Sequence, residues 1–533
     1  MSAEQQSAND ARLSGATAAR RQRVVRARRQ YNQWAANQTL EDYALRFTAE
    51  GARRFPIGRI ANTALGSIAF LACEAVGASI TLDFGFPNAL AALAVVAVIV
   101  LLTGFPICFY AARYGVDMDL LTRGSGFGYI GSTITSAIYA CFTFILFAIE
   151  AAILSTALEL CFGVPLPIGH LISALIVIPI AAYGVKRISW LQNWSQPLWL
   201  VLQLAPIIYI GLHHRAVSDA IAIHAGRTGW SWSLAGAAVA VLLSLLPQIG
   251  EQVDYLRFLP PRRPGKAFAW WSALTLAGPG WILIGGVKIL IGAALACVAV
   301  GLAFSPANAA QPARLYNLVF QGLTHSPAAA LALTGLFVAI CQIKINVTNA
   351  YAGSIAASNF FSRLTHRHPG RVVWLVFNVF IALQLMEIGI MNVVANILAL
   401  YANFAVAWIG AVTADLLINK PLGLSPKGIE FKRAHLYDIN PVGVGAMGFS
   451  LVVSTVLFCG VFGSVAKAFS PLAGLAAAFI AAPAIAKLTR GRYYLARTDS
   501  LPAGPATLVC TVCENPFERP DMAFCPVYQG PIC

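Results

Sequence analysis

Twelve apolar stretches constrain this chain more than any other feature. They fall at about residues 60–82, 88–111, 130–158, 166–185, 190–212, 233–252, 271–301, 328–359, 372–391, 393–418, 442–465 and 469–487. A helix needs roughly 20 apolar residues to cross a hydrocarbon core. Of the 533 residues, 58% are hydrophobic and 11% charged, whereas a soluble domain carries about a quarter charged. One globular core cannot bury so many long runs. The pattern predicts an all-α polytopic membrane protein. The polar, basic N-terminus has no short apolar core of a signal peptide, so the first span is expected to direct insertion.

Charge orients the spans. With the N-terminus inside, the inside loops carry Arg113, Arg123, Lys186, Arg187, Arg257, Arg262, Arg263, Lys266, Arg363, Arg367, Arg371, Lys420, Lys427, Lys432 and Arg433. The outside loops carry only Arg215, Arg227, Arg314 and Lys467. This is the positive-inside bias, and it predicts cytoplasmic termini in a bacterial inner membrane. The same bias, with the basic tails, explains the net charge of +15. Nucleic-acid binding is not expected, because no soluble basic domain accompanies that charge.

Three regions follow: a basic tail over 1–55, a membrane domain over 56–490 and a Cys-rich segment over 491–533. The arginines between Arg12 and Arg29 read as a topology signal that also touches anionic headgroups, or as a partner-binding arm. Residues 33–54 are expected to form an interfacial amphipathic helix. In the last segment, Cys510, Cys513, Cys525 and Cys533 form C-x2-C-x11-C-x7-C. Cys-x2-Cys supplies one edge of a tetrahedral zinc site. Zinc is one reading of the four, and a metal-free stub is the other. Walker A spacing is absent, so ATP-driven transport is not expected, and no soluble-enzyme constellation is present.

Within the membrane domain, polar residues mark where function is expected. The stretch Ile340–Ser358 sits in an apolar run yet holds Gln342, Lys344, Asn346, Thr348 and Asn349. At 100° per residue these occupy both sides of a helix, which predicts a central helix with little lipid contact. The spans from 60 to 418 divide into two sets of five, each opening with an interrupted helix. The expected weak points are Cys73–Ala78, with Glu74 and Gly77, and Leu246–Glu251, with Gln248. Paired interruptions point to the binding site of inverted-repeat transporters. Glu150 in the third span and Lys288 in the seventh are further intramembrane ionisable groups, functional candidates by default. One of the two lysines is expected to pair with an acid; the sequence does not choose which. Asn346 and Asn349 can each donate and accept, which suits the edge of a heterocycle as well as helix–helix bonding.

Several loop motifs resemble the purine–cytosine permease family, the nucleobase–cation symporters. They are Ala112-Arg113-Tyr114-Gly115-Val116, the stretch Leu121–Gly128, Tyr183-Gly184-Val185-Lys186, Val253–Phe258 with its Asp254 and Arg257, and Asn349-Ala350-Tyr351, all in the family's order. The resemblance covers about 56–490. It implies a five-plus-five inverted-repeat fold of the leucine-transporter type with two extra helices, alternating access, and uptake of a small planar base coupled to Na⁺ or H⁺.

Two departures stand out. The family's third helix carries a Trp and a Gln that hold the base; here Phe142, Phe144 and Phe147 supply aromatic surface and Glu150 is the polar group. Lys344 falls where the family's sodium-binding Ser/Thr pair is expected, so an ammonium would occupy the cation site. The chain also resembles the transporter-like N-terminal module of bacterial hybrid sensor histidine kinases, which share this third helix and a Cys-x2-Cys segment.

The expected function is secondary transport of a nucleobase or related heterocycle, proton-coupled or uncoupled from Na⁺. Substrate contacts are expected from Glu74, Gly77, Phe144, Glu150, Gln248, Asn346 and Asn349. Coupling is expected from Lys344, Glu74 and Glu150, and an inner gate from Asp254 and Arg257. The alternative is a membrane sensor that binds a similar ligand and signals through its C-terminal segment to a kinase or other signalling domain.

Overall fold

The computed structural model describes residues 37–389, 394–497, 501, 504–511, 514–525 and 529–532. Among the described residues, nine helices are long and apolar enough to cross a membrane, ten when the bent pair Ile57–Ala69 and Ala72–Phe84 counts as one span. The twelve predicted stretches all fall on helices. The fourth is short, an apolar segment over Leu166–Ala182, and the ninth has 17 residues. The chain is a multi-pass membrane protein.

The first repeat comprises α1 (Ile57–Gly66), α2 (Ala72–Phe84), α3 (Phe86–Tyr114), α4 (Ser132–Phe162), α5 (Leu166–Leu175), α6 (Ile178–Ala182), α7 (Gly184–Gln203) and α8 (Ala205–Leu212). After α9 (His214–Thr228), the second repeat comprises α10 (Trp232–Leu243), α11 (Gln248–Leu256), α12 (Ala267–Ala277), α13 (Trp281–Gly301), α14 (Pro312–Thr324), α15 (Pro327–Thr365), α16 (Arg371–Glu387) and α17 (Val394–Ala414). The pair α18 (Pro441–Phe458) and α19 (Ser470–Leu488) packs on α17. Helix ends follow local chemistry. Pro327 starts α15 behind Ser326, whose hydroxyl accepts from the Ala329 amide at 3.4 Å. Gly115 ends α3 at φ 67°, where a Cβ would meet the Thr48 carbonyl at 2.8 Å. Conformation and crowding both require glycine there.

The centre is built by α4 and α15, which pack along each other more extensively than any other pair. Beside them α2 lies against α13 at backbone distance. A Cβ on Gly77 would meet the Ile289 carbonyl at 2.0 Å, and one on Gly292 the Glu74 carbonyl at 2.1 Å. Gly77 therefore serves helix packing, which corrects its assignment to substrate contact.

Both expected interruptions exist, displaced toward the N-terminus. The first lies at Ser67–Leu71, where a 3₁₀ turn over Ser67–Ala69 ends in an extended Phe70 (φ −56°, ψ 132°) before α2 begins. The second lies at Ser244–Pro247, between α10 and α11. Glycine position misled in the first case. Gly77 is an unbroken helical residue, and the true break carries no Gly or Pro between Ser67 and Leu71.

The described part of the N-terminal tail is not an interfacial helix. It holds one helical turn, Gln38–Glu41, and a 3₁₀ turn, Glu50–Ala52. Between them Asp42 and Tyr43 take positive φ (49° and 60°), which stops a helix. Ala44 and Phe47 are buried in the bundle, Phe47 stacked on Phe431 with centroids 5.6 Å apart. The end of the bundle that receives this segment is called the tail face below. The C-terminal segment forms two antiparallel hairpins, β1 (Thr507–Val509) with β2 (Pro516–Glu518) and β3 (Ala523–Cys525) with β4 (Gly530–Ile532).

Candidate functional site

At the first break, the amides of Leu71 and Ala72 open α2 and have no intrahelical acceptor. Glu150, fully buried on α4, accepts both, at 3.1 Å to Oε2 and 3.0 Å to Oε1. A carboxylate at a helix N-terminus meets orphan N–H groups and the positive end of the helix dipole. This tertiary cap explains why the chain breaks where no breaker residue stands. Gln342 of α15 lies against that carboxylate and interacts with it outside standard hydrogen-bond geometry. One turn on, Asn349 Nδ2 donates weakly to Asn346 Oδ1 at 3.4 Å, leaving Asn346 Nδ2 and Asn349 Oδ1 without partners. From the second break, Gln248 donates to Glu251 Oε2 at 2.9 Å, and Glu251 Oε1 has no partner. Glu251 lies within electrostatic reach of Glu150 and Asp254. All six of these side chains are buried. The two breaks, α4 and α15 thus converge on one enclosed polar centre. Gln252 ties the breaks together, 2.8 Å from the Ser67 hydroxyl.

Glu74 adjoins this centre, within electrostatic reach of Glu150, and its Oε2 has no hydrogen-bond partner. It forms a buried ion pair with Lys288 at 2.9 Å and accepts from Tyr316 at 3.0 Å and Gln203 at 3.4 Å. Lys288 also donates to Gln203 Oε1 at 3.2 Å. The pairing left open by sequence is therefore Lys288 with Glu74. Gln203 and Tyr316 complete the cluster and carried no sequence signal beyond being polar within or beside a span.

Among the described residues, Lys344 is held by neutral groups. Its ammonium donates to the Gln192 carbonyl at 3.2 Å, Ser195 Oγ at 3.2 Å and Gln196 Oε1 at 2.9 Å, all on α7. Three neutral oxygens of one helix thus converge on the Lys344 amine. Phe144 does not face the polar centre. It packs edge-on against Phe377 of α16, centroids 6.4 Å apart. Two residues earlier, a rotation of 200° places Phe142 inward beside Tyr139 and Tyr401.

The tail face is sealed. Arg257 donates to the carbonyls of Asp42 and Tyr43, both at 2.9 Å, and to the Tyr351 hydroxyl at 3.1 Å. Tyr351 donates in turn to Asp42 Oδ2 at 2.8 Å, which also accepts from the Val185 amide at 2.6 Å. Arg371 donates to the carbonyls of Leu40 and Ala182 at 2.7 and 2.8 Å and to Ser354 at 3.0 Å. The acid facing Arg257 as an ion pair is Asp117, at 3.6 Å. Asp254 instead accepts from Tyr139 at 2.9 Å. Beside them Asp119 binds Arg123, at 2.8 Å, and Arg363. Residues 40–53 act as a plug, and Gly115, Val185, Arg257 and Tyr351 from the loop motifs all touch it. Arg363 and Arg371 read in the sequence only as topology charges. Burial was the missing information, since an arginine at a span end is ordinarily solvated.

Between the plug and the centre lies a void of about 10 Å³, lined by Asp117, Asp119, Ser136, Tyr139, Asp254 and Trp408. That is room for roughly one water. The opposite face keeps a recess of about 240 Å³ between α4, α5, α14 and α16, lined by Ile153, Thr156, His170, Gln311 and Met386.

Of the cysteines proposed for zinc, Cys510 follows β1 and Cys525 ends β3; Cys513 and Cys533 lie outside the described residues. Among the described residues no group of three His, Cys, Asp or Glu is placed to hold a metal.

No family model matches the chain, and no curated protein matches it. Solved structures do. The fold is similar to Mhp1, a nucleobase-cation-symport-1 family transporter, closed with bromovinylhydantoin bound: TM-score 0.58, 18% identity, covering 81% of this chain and 96% of that one. Inward-facing Mhp1 matches with TM-score 0.55 and 17% identity over 83% and 95%. A substrate-bound, outward-open Na⁺-coupled sialic acid symporter matches with TM-score 0.53 and 14% identity over 86% and 94%. The chain has the five-plus-five inverted-repeat fold of these structures with two added helices.

Proposed function

We propose that the chain is a secondary active transporter that carries a small uncharged heterocycle with ring N–H and C=O groups, a nucleobase or hydantoin type of ligand, by alternating access. The observation that carries this reading is the polar centre. Asn346, Asn349 and Glu251 present three buried side-chain atoms without partners beside two helix breaks, and Gln342 touches Glu150 outside standard hydrogen-bond geometry. An unsatisfied buried polar atom costs roughly 1–3 kcal/mol. A cluster of them is tolerated where a ligand supplies the missing bonds, and amides match both donors and acceptors of such a ring. The sealed tail face and recessed opposite face fit one end state of alternating access. The shared fold with symporters supports the same reading.

Glu150 narrows the ligand class. In discontinuous transporter helices the half-helix N-terminus attracts an anionic substrate group. Here a resident carboxylate sits on that N-terminus, so a carboxylate ligand meets like charge instead of an anion seat. Lys344 narrows the coupling. With its ammonium among three oxygens of α7, binding is expected to be independent of Na⁺. A sensor reading draws on a separate observation, the docking of the C-terminal hairpins on the plug.

The test is uptake into proteoliposomes with purines, pyrimidines and hydantoins, with and without Na⁺, beside thermal-shift binding of the same panel. Saturable uptake of a neutral ring that is unchanged on replacing Na⁺ with K⁺ is expected. Binding without flux would favour the sensor. Neither binding nor flux for any ring would remove the heterocycle reading, and a strict Na⁺ requirement would remove the role given to Lys344.

A further inference from the structure

The plug is gripped from two sides. Toward the membrane it is held by Arg257, Arg371, Tyr351 and Val185, as above. From the other side the C-terminal hairpins hold it. The Glu518 carboxylate, at the end of β2, accepts the amides of Glu50 and Gly51 at 2.8 and 2.9 Å. These are N–H groups at the start of the Glu50–Ala52 turn, where a carboxylate cap is favourable. Four residues before that turn, Arg46 forms an ion pair with Asp521 and lies over the Phe517 ring, 4.7 Å from its centroid. Lys432, in the loop before α18, donates to the Met522 carbonyl at 3.2 Å, which anchors the same stretch to the membrane domain. Residues 517–522 therefore touch the plug through a cap, an ion pair and a cation–π contact within six residues. The plug in turn reaches the ends of α3, α7, α11, α15 and α16 through Gly115, Val185, Arg257, Asn359 and Arg371.

We propose that the plug and the C-terminal hairpins form one latch: the tail face opens only when the plug leaves, and the hairpins hold the plug in place. Opening a path past Arg257 and Tyr351 requires Asp42 and Tyr43 to move. That displaces Arg46 and the Glu50–Ala52 turn, which are continuous with them in the chain. The clamp of Glu518 and Asp521 then either follows or breaks. Coupling of this kind is reciprocal, because two contacts that stabilise one state stabilise each other. Releasing the hairpins loosens the gate, and releasing the gate loosens the hairpins. The inference goes beyond the proposed transport function, since it holds whether the bundle moves its ligand or only binds it.

Hydrogen exchange on the full chain in lipid nanodiscs reads both directions. The Val185 amide donates to Asp42, and the Thr48 amide to the Gly115 carbonyl at 2.6 Å; neither touches the hairpins. In Glu518→Ala/Asp521→Ala these two amides are expected to exchange on the order of tenfold faster, within the typical 5–150-fold span of coupled sites. In Asp42→Ala, the Arg519 amide, bonded to the Ala506 carbonyl at 2.8 Å, is expected to speed up in return. Arg46→Ala, which leaves the hairpins and the gate residues unaltered, gives the same direction by a route that cannot unfold either side. Helix-core amides in α4 serve as the folding control. Faster exchange confined to the mutated side, with the other side unchanged in all three variants, overturns the latch. Ligand binding is not used in the readout, so the transport proposal can fail without this one.

Discussion

The polar centre and the tail face are both buried, both rich in Asn, Gln, Asp, Glu and Tyr, and lie on the same helices. They differ in how those groups are used. At the tail face, Arg371 meets four oxygen acceptors within 3.2 Å, and Asp42, Tyr351 and Arg257 bond one another. At the centre, Gln342 meets only Glu150, outside standard hydrogen-bond geometry, and the Asn346–Asn349 contact stretches to 3.4 Å. Asp254 Oδ1 and Thr48 Oγ1 are also open at the tail face, but the bonded groups around Arg257 and Arg371 hold that face together. Buried groups left open are a cost to stability that function must justify.

Mutations break this comparison in opposite ways. Arg371→Ala is expected to have the largest effect. Two buried and two part-buried acceptors lose their donor, and at about 1–3 kcal/mol for each buried one the thermal midpoint in detergent should fall steeply or the chain fail to accumulate. The Glu74–Lys288 pair comes next. Glu74→Ala or Lys288→Met alone leaves an uncompensated buried charge, costing about 3–5 kcal/mol. Glu74→Met/Lys288→Met restores most of that loss, and a double mutant as unstable as the singles would show that the pair is not the reason.

Asn349→Ala sharpens the comparison from the other side. It removes an oxygen that had no partner and a donor whose bond to Asn346 is stretched to 3.4 Å, so stability should change by about 1 kcal/mol or less while affinity for a neutral ring falls about tenfold or more, as expected for one or two hydrogen bonds. A large stability loss without an affinity change would move Asn349 into the structural class. The smallest effect concerns pH. Burial pushes the Asp117 carboxyl up from 3.8 to about 6, against the opposing pull of Arg257. The folded chain keeps this proton longer than the unfolded one, so stability falls as pH rises from 3.8 to about 6. Asp117→Asn should flatten that fall in a series of melting curves, with little effect near neutral pH beyond the lost Arg257 contact.

Much of the fold was legible because hydrocarbon imposes a length and a composition on every span. All twelve stretches were readable for that reason, and so was the central place of the polar helix around Asn346 and Asn349. Glu150, Gln248 and Lys344 were legible as costly residues in a membrane. Three readings were not. Gly77 and Phe144 looked like site residues, but one fills a backbone crossing against Ile289 and the other packs on Phe377. The first break was sought at a glycine, whereas the carboxylate of Glu150, 78 residues from Ala72 in the chain, decides where α2 begins.

The amino-acid sequence alone determined that this chain lives in a membrane, where its apolar stretches fall and which of its helices must face inward. Those follow from transfer energies, which depend on residue type and need no partner. Only the tertiary structure decided that Glu74 belongs to Lys288, that Glu150 caps a distant helix, that Lys344 rests on three neutral oxygens, and that arginines expected to meet solvent are buried around a plug. Those depend on which groups meet once the helices pack, and a pairwise bond has no meaning until both partners have a place.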